Sequence, residues 1–443
     1  MDSPALASGR RNTSPEEWLA LLQRSFEAAV AAAYPGAGMA RVLPPPPPQG
    51  RTLVVGAGKA AASMAAVVEA HWPQEAPLSG LVITRYAHGL PLSRIRCVEA
   101  GHPVPDSAGA QAAEEILSAV AELTEKDQLL VLVSGGGSSL LSLPADGLAM
   151  SDLKSLTTDL LRSGAPITEM NIVRKHLSKI QGGRLALACA APVTALVVSD
   201  VVGDDPSAIA SGPCAADPST YADALEVLSR WDVTPPEAIA AHLQSGMRGE
   251  IPETPKPGDP RLSHVTSHML ATARASLQAA AAVFAQAGVR PVVLGDAVTG
   301  EARDVATGFA SWVRELAQDQ DPSFARPLVL LSGGECTVTV RGQGRGGRCA
   351  EFLLAMGLAL ESMGVADRVF GLAADTDGID GASPHAGALL CPATLSLARE
   401  KGISPRKALD ANDVLAVFEP LGRVVTTGPS RTNVNDYRAI LVV

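Results

Sequence analysis

The chain has 443 residues, 47% of them apolar and 19% charged, which suits two or three domains of roughly 150 residues with sizeable cores. A net charge of −10 argues against nucleic acid as a main partner, because the nonspecific electrostatic term is repulsive. Six scattered cysteines without a C-x-x-C pair read as reduced thiols in a cytoplasmic protein, and no apolar run approaches the ~20 residues that span a membrane.

Residues 1–14 are expected to be disordered, and Met1 to Pro15 is polar, without the apolar segment of a signal peptide. Trp18 to Ala33 has the pattern of an amphipathic helix, and Pro44 to Pro48 that of a rigid polyproline loop. Strands and helices then alternate. Leu53–Val55, Leu81–Thr84, Leu129–Val133 and Val193–Val198 read as strands. Segments 60–71, 108–123, 152–162 and 174–188 read as helices. This alternation predicts a mostly parallel sheet with helices on both faces. Pro235 to His264, rich in Pro, Gly and charge, is the linker candidate. Beyond it, 269–287, 301–317 and 351–363 read as helices. Pro291–Leu294, Leu328–Leu331, Thr337–Val340, Val369–Ala373 and Ala439–Val443 read as strands.

Four glycine clusters follow strand-like runs: Gly56-Ala57-Gly58-Lys59, Ser134-Gly135-Gly136-Gly137-Ser138, Ser332-Gly333-Gly334-Glu335, and the loop from Gly342 to Arg348. Strands that end in glycine expose backbone N–H groups as anion-binding nests. Lys59, Arg345 and Arg348 add charge suited to phosphate, with Gly346 and Gly347 as a further cradle. Two acidic runs, Ser199-Asp200 and Asp375-Thr376-Asp377, are candidates for holding Mg²⁺. Together these features point to phosphoryl transfer from a nucleotide.

Gly56 to Ala61 admits three readings: a phosphate nest with Lys59, a dinucleotide fingerprint, or a tight strand-to-helix turn. The second strand closes on Thr84-Arg85-Tyr86 without a carboxylate, which leaves NADP as the dinucleotide option. The Asp375 run lacks the twelfth-position Glu of a calcium loop, since residue 386 is Ala. No histidine pair has zinc-site spacing.

Several ordered segments resemble the glycerate 2-kinase family: Val54 to Ala60, Ser134 to Leu141, Met170 to Ser178, Ser199 to Asp205 and Ile209 to Pro213. Ser332 to Glu335, Thr376 to Gly381 and Thr432 to Asp436 are similar to its C-terminal MOFRL domain. The resemblance implies an α/β chain of two domains with an active-site cleft between them. Residues 16–262 would form a Rossmann-like αβα sandwich and 263–443 the MOFRL-like α/β domain. It further implies ATP- and Mg²⁺-dependent phosphorylation of D-glycerate at its 2-hydroxyl. The expected partner is that small molecule, with neither nucleic acid nor membrane, and a homodimer is the assembly considered.

By position, Lys59, Asp200, Arg348 and Asp377 fall on the family's catalytic groups. Gly56, Gly58, Ser134, Gly135, Gly136, Gly137, Ser138, Gly333, Gly334, Glu335, Gly346 and Gly347 are expected at nucleotide phosphates. Arg345, Asn433 and Asn435 are expected at the substrate, and Asp200, Asp375 and Asp377 at Mg²⁺. Cys349-Ala350 replace the family's usual Asn-Gln, which removes hydrogen-bonding capacity near the expected cleft. Some family members are called hydroxypyruvate reductases, so an NADPH-dependent reductase, with His176 as proton donor, is the alternative. A non-catalytic sensor of a small phosphorylated acid, prompted by Cys349 and Ala350, is the third reading.

Overall fold

The computed structural model describes residues 13–318 and 325–443; the expectation for residues 1–14 lies, up to residue 12, outside the described residues. The chain divides into two compact units. One comprises Val30–Ser276 with Pro429–Asn435; the other comprises the segment ending at Ala29, Leu277–Gly428 and Asp436–Val443.

The first unit is built on six strands: β1 (Thr52–Ala57), β2 (Leu78–Arg85), β3 (Ile95–Ala100), β4 (Gln128–Val133), β5 (Val193–Val198) and β6 (Val265–Ala271). They pair in the order β3-β2-β1-β4-β5-β6, all parallel. This is the order of doubly wound sheets, which bind ligands outside the carboxyl ends of their strands where the order reverses, here between β1 and β4. Both strands are almost wholly buried, hence their unbroken apolar runs. Leu53, Val55 and Ala57 pack into one apolar layer and Val54 into another with Met64, Val68 and Val434, so both faces are covered.

Three expectations change here. The linker candidate contains the helix Glu237–Met247. The segment read as a helix from 174 stops at His176 and resumes for one turn at Arg184–Leu187, after Gly182 and Gly183 take left-handed φ of 60° and 81°. The helix expected from 269 begins at Ala273, because Val265–Ala271 pairs with β5. The division into compact units falls at Ser276/Leu277, inside that helix.

The second unit holds β7 (Arg290–Gly295), β8 (Gly300–Glu301), β9 (Leu328–Gly334), β10 (Cys336–Thr337), β11 (Val369–Asp375), β12 (Gly387–Leu390), β13 (Val424–Val425) and β14 (Asp436–Val442). Six of them form a mixed sheet, β13-β12-β11-β14-β9-β7, and β8 pairs with β10. Helices Ala302–Gln318 and Arg348–Ser362 supply much of the buried apolar surface through Phe309, Val313, Phe352 and Leu353. The strand expected over 337–340 is cut to Cys336–Thr337. Register sets Asp375 opposite Asp436, and Asp436 opposite Gly334, in one row at the sheet's end. No helix among the described residues is long and apolar enough to cross a membrane.

Candidate active site

In the parallel-sheet unit, the turns after β1 and β4 are tied together. Lys59 N donates to Gly135 O at 2.8 Å and Ala60 N to Ser134 Oγ at 3.0 Å. Gly58 N donates to Ile83 O and Ala61 N to Gly58 O. Every N–H from 58 to 61 thus has an acceptor inside the protein. The phosphate nest expected at Gly56 and Gly58, and equally a dinucleotide fingerprint there, meets this obstacle: the donors such a ligand needs are engaged.

The loop after β4 is different. Gly137 N donates to Ser134 O, but the N–H groups of Gly135, Gly136 and Ser138 have no protein acceptor among the described residues. Consecutive free N–H groups around a left-handed residue (Gly136, φ 79°) make a nest for an anion. Asp200, just past β5, lies against this loop. A Cβ on Gly135 would stand 2.1 Å from Asp200 Oδ2, so only glycine admits the carboxylate. Asn433 Nδ2 donates to Asp200 Oδ2 at 3.3 Å, and Asn435 Nδ2 donates to Asp200 O at 2.5 Å. Asn433 and Asn435, expected at the substrate, are placed so as to hold Asp200.

Residues outside the expected set complete this end of the sheet. His102 Nδ1 lies 2.8 Å from Ser139 Oγ. Arg174 Nη1 donates to Asn171 Oδ1 at 3.3 Å, which also accepts from Ser211 Oγ at 3.2 Å; Ser211 Oγ reaches Ser138 Oγ at 2.9 Å. Ala210, Ser211 and Gly212 are successively left-handed, with φ of 51°, 58° and 56°. Two non-glycine residues in that region store roughly 1–3 kcal/mol each, strain that concentrates at functional sites. Burial pulls the Arg174 guanidinium down to about 10, still protonated at neutral pH. Asn171 and Arg174 stand in a segment that resembled the family, and their spacing of three on one helix was the signal available.

His176 is fully buried. Its Nδ1 bonds Ile172 O, its ring packs edge-on against Tyr221, and burial holds it below the usual imidazole range despite Asp217 and Glu253 nearby. It has no route to act as an external proton donor.

In the mixed-sheet unit, Arg348 is held by three carboxylates: Asp375 Oδ2 at 2.7 Å, Asp436 Oδ1 at 2.7 Å and Glu335 Oε1 at 3.1 Å. Burial opposes its charge, but Asp436, Asp375 and Glu335 overcome that and raise it well above the ordinary arginine value. Gly333 and Gly334 belong to β9 and do not form a loop nest. Asp377 accepts from Ile379 N and donates its own N–H to Asp375 Oδ1. Arg345 sits at the surface, paired with Glu419 at 2.6 Å.

The cradle expected at Gly346-Gly347 does hold an anion, but the anion is Asp380. Cys349 N and Ala350 N donate to Asp380 Oδ1 and Oδ2 at 3.0 and 2.9 Å. A Cβ on Gly347 would lie 2.2 Å from Asp380 Oδ1. Cys349 and Ala350 themselves point into the core, fully buried.

No group of three or more His, Cys, Asp or Glu among the described residues is arranged to hold a metal ion. Mg²⁺ that bridges substrate phosphates commonly needs only one or two carboxylates. Asp200, beside the N–H groups of Gly135, Gly136 and Ser138 and bonded by Asn433, fits that requirement; Asp375 is paired with Arg348 and Asp377 accepts from the backbone.

Comparison with known proteins identifies the family. Residues 21–244 match a domain of unknown function, DUF4147, and residues 328–436 match the MOFRL family. A glycerate 2-kinase of Pyrococcus horikoshii is 38% identical, over 87% of this chain and 86% of its own. An Agrobacterium vitis protein provisionally named hydroxypyruvate reductase is 47% identical, over 95% of this chain and 94% of its own. The crystal structure of a Thermotoga maritima glycerate kinase superposes with a TM-score of 0.83 at 35% identity, over 97% of this chain and 100% of that one. The chain belongs to the glycerate 2-kinase family and carries its MOFRL domain.

Proposed function

We propose that the protein transfers the γ-phosphoryl group of ATP to the 2-hydroxyl of D-glycerate, with Mg²⁺, giving 2-phosphoglycerate and ADP. The observation that carries this reading is the row of available N–H groups at Gly135, Gly136 and Ser138, with Asp200 lodged against it. In phosphoryl transfer the protein chiefly positions groups and stabilises charge. The N–H row would hold phosphate oxygens. Lys59, whose backbone bonds Gly135, is the adjacent cation. Asp200 would hold Mg²⁺ or accept the hydroxyl proton, steadied by Asn433 and Asn435. Mg²⁺ there would neutralise charge on the phosphates. Arg348 and Asp377 act in this proposal through the row of carboxylates they order, and a cytoplasmic homodimer belongs to the same reading.

Glycerate-dependent ADP release from ATP and Mg²⁺ is the test, with the phosphorylated carbon identified by NMR. Lys59→Ala should lower turnover by about 100-fold or more while leaving the melting temperature within a few degrees. Near-normal turnover in that variant would remove Lys59 from the mechanism.

The reductase name of some relatives favours a second reading, NADPH-dependent reduction of hydroxypyruvate. The engaged N–H groups at residues 58–61 and the enclosed His176 weigh against it. NADPH oxidation without glycerate-dependent ADP release would reverse the choice.

A further inference from the structure

Ser138 and Ser139, in the short helix after β4, line a recess in the parallel-sheet unit. Arg174 and Gln181 also line it on the polar side, and Leu156 and Leu160 on the apolar side. Its free volume is about 30 Å³. At roughly 10–15 Å³ per water-sized group this admits two or three heavy atoms. A carboxylate fits that room, and a nucleotide does not.

Arg174 is the only cationic side chain among the residues lining the recess. Its one hydrogen bond is to the neutral Asn171 carboxamide, and no carboxylate among the described residues pairs with it. A guanidinium that lines a recess together with leucines, and whose single side-chain hydrogen bond among the described residues goes to a neutral carboxamide, is balanced best by a charged ligand. Asn171 is fixed in turn by Ser211 and by Ala208 O. Ser211 also contacts Ser138, whose N–H belongs to the row without a protein acceptor among the described residues. Cation and row are therefore linked through one hydrogen-bonded chain.

We propose that this recess is the acceptor's carboxylate subsite, in which Arg174 binds the carboxylate of a small hydroxy acid and so selects an acid over a neutral alcohol. The proposal rests on the kinase reading for its substrate. It also has a readout that needs no turnover.

Melting temperature is measured with D-glycerate alone and with glycerol, its neutral counterpart, for the wild type, Arg174→Gln and Arg174→Lys. D-glycerate should stabilise the wild type and glycerol should not. Arg174→Gln should abolish that shift, and Arg174→Lys should keep part of it. In the ADP-release assay, Arg174→Gln should raise the KM for glycerate about 10- to 150-fold, the range expected for a lost charged hydrogen bond, with the KM for ATP within about twofold. Equal stabilisation by glycerol, or an unchanged glycerate KM in Arg174→Gln, overturns the proposal. If that variant does not fold, Leu160→Phe narrows the recess and keeps the arginine; it should weaken glycerate selectively, and unchanged glycerate binding overturns the proposal. A wild type stabilised by D-glycerate but releasing no ADP refutes the kinase reading and upholds the subsite.

Discussion

Two regions of this molecule carry the same written signature, a glycine run with a basic residue close by, and they use it in opposite ways. Among the described residues, the N–H groups of Gly135, Gly136 and Ser138 after β4 have no internal acceptor, and Arg174, linked to them through Asn171 and Ser211, has no carboxylate partner. At the start of the helix Arg348–Ser362, the N–H groups are capped by Asp380, and Arg348 is bound by three acids. The first region has donors left over for a ligand, and the second has satisfied its own. Counting donors against acceptors distinguishes two loops that the sequence pattern writes alike.

The sharpest way to break this comparison is Arg348→Ala. It takes the Arg348 contact from buried Asp375 and leaves Asp436 with Arg438 at 2.5 Å as its remaining arginine, and losing one partner of a buried ionic cluster costs up to about 3–5 kcal/mol. Guanidinium unfolding should register that loss. A variant as stable as the wild type but catalytically dead would move Arg348 into the reacting machinery and erase the contrast.

A matched pair of methyl insertions sharpens it further. Gly347→Ala drives a methyl into Asp380 and should cost about 1–3 kcal/mol of stability, as overpacking does. Gly135→Ala drives one into Asp200 and should cut turnover about 100-fold through misplacement of that carboxylate. Denaturant titration and ADP release on both variants check the pair. Swapped outcomes, with activity lost in Gly347→Ala and stability lost in Gly135→Ala, would invert the assignment of the two loops.

What the sequence made legible follows the same logic. β1 and β4 were readable because burial on both faces demands continuous apolar residues. β3, Ile-Arg-Cys-Val-Glu-Ala, shows no such run, since its middle is partly exposed, and it was missed. β6 is a half-exposed edge strand whose Met and Leu blended into the helix that follows. An anion at Gly346-Gly347 was foreseeable from local chemistry; that it is Asp380, 33 residues further on, is a tertiary fact. Asp436 and Arg438, which pair at 2.5 Å in the buried interior, were likewise hidden, because their placement comes from antiparallel register across β9, β14 and β11. Cys349 and Ala350 raised an expectation about substrate that their burial removes.

The smallest expected effect probes the capped helix by pH. Burial pushes the Asp380 carboxyl up to about 6, against two backbone donors that favour its ionised form. Its folded-state value thus lies above the unfolded one of 3.8. The folded protein holds this proton more tightly than the unfolded chain does, so the stability contributed by Asp380 falls as pH rises from about 4 to about 6 and is level above that. The slope is about 1.4 kcal/mol per pH unit inside the window. Asp380→Asn cannot titrate. The difference in unfolding free energy between wild type and Asp380→Asn should therefore be larger at pH 5 than at pH 7, by about 1.4 kcal/mol. A difference that grows toward pH 7 would mean that the two N–H donors outweigh burial, making this helix start a true carboxylate-binding nest and bringing the two glycine loops closer in kind than their present occupancy suggests.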